Sequence, residues 1–108
     1  MILIKALKAL ADERRLKILQ LLSTSDLCVG ALARHLGISK PAVSQHLQIL
    51  RKAGLVKGEK RGYWTHYIVE HQALDRVASE ISDLAATEKS NNTICWRIDD
   101  TYKTNKNN

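Results

Sequence analysis

Between Gly37 and Ser39 the chain has to stop one helix and start another, and no other feature restricts its fold as tightly. Leu32, Ala33 and Leu36 recur on one helical face that ends at Gly37, a residue that tolerates a left-handed C-cap. Ser39 then offers a hydroxyl to the exposed amides of a second helix, and Pro41 fits its first turn, where a missing N–H costs nothing. Val43, Leu47 and Leu50 share the inward face of that second helix. Two short helices joined this closely make a helix-turn-helix. At 100° per residue the outward face gathers Pro41, Gln45, Gln48 and Lys52, with Ala42 and Ser44 on its flanks. A merely solvated face usually carries salt-bridging Glu and Lys. Hydroxyls and amides instead suit hydrogen bonding to base edges in a major groove, where Gln pairs bidentately with adenine.

After Ala53 and Gly54 the period changes to two. "LVKGEKRGYWTHYIV" places Leu55, Val56, Trp64, Tyr67, Ile68 and Val69 around a turn expected at Lys60, Arg61 and Gly62, which is a β-hairpin with a basic tip. A helix-turn-helix followed directly by such a hairpin predicts a winged helix: mainly α, with the hairpin as wing. Upstream, Leu3, Leu7 and Leu10 mark a short first helix, and Asp12 offers an N-cap to another whose Leu16, Leu19 and Leu22 are expected to point inward. Downstream, Leu74, Val77, Ala78, Ile81, Leu84 and Ala85 form a long apolar stripe. The stripe either folds onto its own core or meets a second copy. With Leu3 and Leu7 it would complete a dimer interface built from the helices at both ends. The expected division is a DNA-binding and dimerisation domain over 1–89 and a polar tail over 90–108, with one apolar island, "ICWRI".

Charge narrows the partner. The 108 residues carry a formal +6, and between Arg34 and Arg61 seven basic residues face one acid, Glu59. Between Glu70 and Glu88 the balance inverts, so the basic charge is a local stripe suited to phosphate. "MILIKALKAL" is interrupted by Lys5 and Lys8 and followed by Asp12 and Glu13, so it reads as a helix rather than a leader. No apolar run approaches the roughly 20 residues of a membrane span, and a cytoplasmic protein is expected. The four His and two Cys are scattered, with no glycine-rich phosphate loop or paired carboxylates, which argues against an enzyme. His35, His46 and His66 make no metal motif and read as packing or DNA-facing residues.

The runs "LADERRLKIL", "DLCVGALA" and "KPAVSQHLQILRKAGLV" together closely resemble the ArsR/SmtB family of bacterial and archaeal metalloregulatory repressors, over roughly residues 6 to 69. The resemblance implies a homodimeric winged-helix repressor on an inverted-repeat operator in double-stranded DNA, released by a metal ion, a metalloid or thiol oxidation. Cys28 matches the first position of the family's "LCVC" metal box, but Gly30 stands at the second. The family's other site, on the final helix, would fall on Glu70, His71, Asp75 and Asp83, without a second His. Three roles stay open for Cys28: a small buried hydrophobe, a ligand for zinc, cadmium or arsenite, or a redox partner of Cys95. The expected DNA contacts are Ser44, Gln45 and Gln48 on bases, with Ser39 and Pro41 at the helix start and Lys40, Arg51, Lys52, Lys60 and Arg61 on phosphate. A winged-helix module that binds a protein partner, with weak or no specific DNA binding, is the alternative.

Overall fold

A computed structural model describes residues 2–86; the tail from Ser90 and Cys95 lie outside that range. Seven elements run in order: α1 (Ile2–Leu10), α2 (Glu13–Thr24), α3 (Val29–Leu36), α4 (Lys40–Lys52), β1 (Val56–Arg61), β2 (Trp64–Val69) and α5 (His71–Ala86). This is the expected winged helix-turn-helix. Several helix boundaries have a local cause. The Asp12 carboxylate accepts hydrogen bonds from the backbone N–H groups of Arg14 and Arg15 at 2.9 and 3.1 Å, and Ser39 Oγ accepts from the Ala42 N–H at 3.2 Å. Gly37, at φ 67°, stops α3 as its sequence position implied. At the end of α4, Gly54 takes φ 78°, its N–H reaches the Arg51 carbonyl and the Leu55 N–H reaches back to Leu50. That paired closure turns the chain directly into the wing.

The core is aliphatic, as a chain without Phe requires. Ile18, Leu32, Val43, Leu47, Leu50 and Leu55 are its largest fully buried side chains, each contributing about 1.5–3 kcal/mol by leaving water. One expectation fails here. Leu16 is 47% exposed, because α2 turns Ile18, Leu19 and Leu22 inward with Arg15 at the head of the same stripe. Arg15 donates to the carbonyls of Ala9 and Lys8 at the end of α1, and its Nη1 lies 3.3 Å from His46 Nδ1 on α4. A positively charged strut therefore stands where an aliphatic pattern suggested leucine.

The hairpin also differs in register. β1 and β2 pair antiparallel from Val56 opposite Val69 to Arg61 opposite Trp64, which leaves Gly62 and Tyr63 as the turn. Arg61 is a strand residue, one position before the tip. The wing is held at its flank as well: Leu27 bridges to Tyr67, whose N–H donates to the Leu27 carbonyl. The α5 stripe divides in two. Val77 is 5% exposed in the chain's own core and Leu74 packs against it, whereas Ile81 and Leu84 are exposed, as are Ile2, Ile4 and Leu7 of α1. The part of the stripe around Val77 folds onto the chain's own core, and Ile81 and Leu84 are left uncovered by it.

Candidate nucleic-acid interface

Because Val43, Leu47 and Leu50 anchor α4, its other face is turned outward. Pro41, Ser44, Gln45 and Gln48 are exposed on it, with Ser39 and Lys40 at its start and Arg51 and Lys52 at its end. No acidic residue lies on α4, so nothing there repels phosphate. Gln48 Oε1 accepts a hydrogen bond from Arg51 Nε at 2.9 Å, which orients the amide and leaves its NH2 group outward. Among the described residues Gln45 has no such tether.

On the wing, Lys60 is exposed and no ion pair engages it among the described residues. Arg61 is different. Its Nη2 lies 2.7 Å from Asp26 Oδ2 and 2.6 Å from Glu59 Oε1, and its Nε donates to Glu59 at 3.0 Å. Glu59 first, and then Asp26, raise its already high pKa. The guanidinium that the sequence offered to phosphate ties the wing to the loop before α3. Asp26 carries no sequence signal for this role, since a contact across 35 positions of chain depends on the fold.

Cys28 lies at the entry of α3 and is half-buried. The backbone N–H of Ala31 is the main cause of a lowered thiol pKa; the Gly30 N–H and the Arg34 charge add to it, and partial burial opposes it. Among the described residues no group of three His, Cys, Asp or Glu side chains is placed to hold a metal ion. Cys28 alone supplies too few donors for zinc or arsenite. Its surroundings form an open cleft of about 550 Å³ with Arg34 and Lys40 on one side and Tyr63, Trp64 and Tyr67 of the wing on the other. Arg34 and the wing aromatics were missed as neighbours of Cys28. The Gly30 to Arg34 spacing put those two on one helical face, but the arrival of Lys40 and the wing needed the turn and the hairpin.

Residues 12–57 match the family described as bacterial regulatory protein, arsR family. The transcriptional repressor SdpR of Bacillus subtilis is 42% identical over 60 residues, covering 56% of this chain and 67% of its own. The arsenical resistance operon repressor of Escherichia coli is 48% identical over 65 residues, covering 59% of this chain and 56% of its own. Among solved structures, the homodimeric winged helix-turn-helix DNA-binding domain Mb0332 of Mycobacterium bovis, described as a possible ArsR-family transcriptional regulator, superimposes with a TM-score of 0.65. It is 28% identical, over 84% of this chain and 87% of that one.

Proposed function

The chain belongs to the arsR family of bacterial regulatory proteins, DNA-binding transcriptional regulators rather than enzymes, and from that premise we propose that it is a homodimeric repressor of an inverted-repeat operator. The exposed, uncharged polar face of α4 is the observation that carries the reading. In it Ser44, Gln45 and Gln48 meet base edges, while Lys40, Arg51, Lys52 and Lys60 hold the backbone, with Ser39 and Pro41 fixing the start of the helix. Arg61 acts one step removed, by keeping the wing against the Asp26 loop.

Two copies join through Ile81 and Leu84 of α5 and Leu7 of α1, which are among the apolar side chains that one chain leaves uncovered; Leu3, Leu74, Val77 and Ala78 support that surface from beneath or beside it. Covering both α4 helices on one operator then links the two half-sites. Cytoplasmic residence follows from this role; no helix among the described residues is long and apolar enough to cross a membrane. Release from DNA is assigned to an inducer in the cleft beside Cys28.

A gel shift with the DNA upstream of its own gene tests the reading. The protein should retard that fragment in preference to scrambled DNA of equal length, and Gln45→Ala should weaken the preference. Equal retardation of both fragments by the parent protein would overturn it in favour of a module that uses other partners.

A further inference from the structure

The resemblance to metalloregulatory repressors implies a metal or metalloid inducer, yet the cleft beside Cys28 has the wrong sign for a cation. A Cβ placed on Gly30 would meet Lys40 Cε at 3.6 Å, Arg34 Nη1 at 3.8 Å and Lys40 Nζ at 4.0 Å. Two cationic groups thus converge over one bare backbone position, their charged nitrogens no more than about 8 Å apart by those distances. Neither has an acidic partner among the described residues, and no carboxylate lines the cleft. Unneutralised like charges held together repel each other, and an anion between them removes the repulsion.

The facing wall supplies the second half of a ligand. Tyr63 is fully exposed and Trp64 is 64% exposed, and both line the cleft with Tyr67. Exposed aromatic rings in a cleft that also holds a guanidinium and an ammonium suit a molecule that is itself a ring bearing an oxyanion. The cleft volume lies within the range of small-molecule sites.

We propose that the cleft formed by Gly30, Arg34, Lys40 and the wing aromatics binds a small aromatic oxyanion, an aryl phosphate or aryl carboxylate, and that this is the inducer class of the protein. The regulatory half rests on the DNA-binding reading above. Lys40 begins the recognition helix and Trp64 begins the return strand of the wing, so an occupant between them takes charge and space that operator backbone would meet. Ligand and DNA then exclude one another. Gly30 is what admits the ligand, because a side chain there would fill the point on which the two cations converge.

Calorimetric titration of the full chain with phenyl phosphate, and separately with inorganic phosphate and phenol at matched ionic strength, decides the matter. Phenyl phosphate should bind one site per chain at least tenfold more tightly than either fragment. Arg34→Gln should weaken it at least tenfold, and Trp64→Ala should bring it down to the level of inorganic phosphate. Trp64 is mostly exposed, so that variant remains a fair test if Arg34→Gln fails to fold. Phenyl phosphate binding no more tightly than inorganic phosphate, or unchanged in folded Trp64→Ala, overturns the proposal. In a second arm, fluorescence anisotropy follows operator DNA. Displacement by phenyl phosphate, but not by equal inorganic phosphate, supports the inducer role. An Arg34→Gln protein that loses DNA affinity, while the parent ignores phenyl phosphate, would show that the cations serve DNA alone and would overturn it. Absence of DNA binding by the parent would defeat the repressor reading and the inducer role, with calorimetry still deciding the site.

Discussion

Lys60 and Arg61 are adjacent basic residues on the wing, and the structure separates them. Each phosphate neutralised by a side chain contributes about 0.9 to the slope of log K against log salt. Lys60 is free to make such a contact, so Lys60→Ala in a dimer that docks both wings should flatten the slope by about 1.8. Between 50 and 200 mM salt, that loss makes the variant's affinity fall by roughly 12-fold less than the parent's. Arg61, held by Asp26 at 2.7 Å and Glu59 at 2.6 Å, already has its charge compensated. Arg61→Ala should therefore leave the slope nearly unchanged, while lowering affinity through a less well-fixed wing. Freeing the guanidinium with Asp26→Asn and Glu59→Gln together should steepen the slope by up to about 1.8, as two new phosphate contacts form. Anisotropy titrations of all three variants over that salt range provide the slopes. If Arg61→Ala flattens the slope as much as Lys60→Ala, the ion pairs open on DNA and the assignment of Arg61 to wing positioning is wrong.

Gln45→Ala should cost about 1–3 kcal/mol on the operator and almost nothing on random DNA, measured by competition gel shift; equal losses on both would remove Gln45 from base reading. Ile81→Asp should yield folded monomers by sedimentation, because Ile81 is already 44% exposed in the single chain, and operator affinity should fall by about two orders of magnitude as the linked half-site is lost. A folded dimer would refute that interface. The lowered pKa of Cys28 means more thiolate at a given pH, so in a Cys95→Ser background iodoacetamide should react with a rate midpoint below that of a free cysteine, and Arg34→Gln should move the midpoint up. An unchanged midpoint would discount the Arg34 charge. Asp12 has a folded-state pKa below 3.8, so its cap stabilises above that pH and is lost as pH falls through the lower folded value. The urea midpoint of Asp12→Ala should converge on that of the parent under acid conditions, and a constant difference from about pH 6 to pH 2.5 would refute the linkage.

What the sequence determined by itself was whatever depends on neighbours a few residues apart. The Asp12 and Ser39 caps, the stops at Gly37 and Gly54, the inward triad of α4 and its polar outer face all follow from spacing along one helix, since caps and turns are satisfied within four or five residues. The hairpin was legible from its change of period, but its turn fell at Gly62 and Tyr63 because register depends on cross-strand pairing, which a single strand's pattern does not contain. Leu16 misled for a related reason: two overlapping stripes of α2 are both compatible with helical spacing, and only packing against α1 and α4 selects the one headed by Arg15. Tertiary structure alone decided that Arg61 meets Asp26, that Arg34 and Lys40 converge over Gly30 in a cleft shared with the wing, and that the α5 stripe is buried at Val77 and exposed at Ile81 and Leu84. Each of these sets charge or apolar surface against residues far away in sequence. Coulomb interaction and burial depend on distance in space, and that distance exists only once the turn, the hairpin and the returning helix have closed.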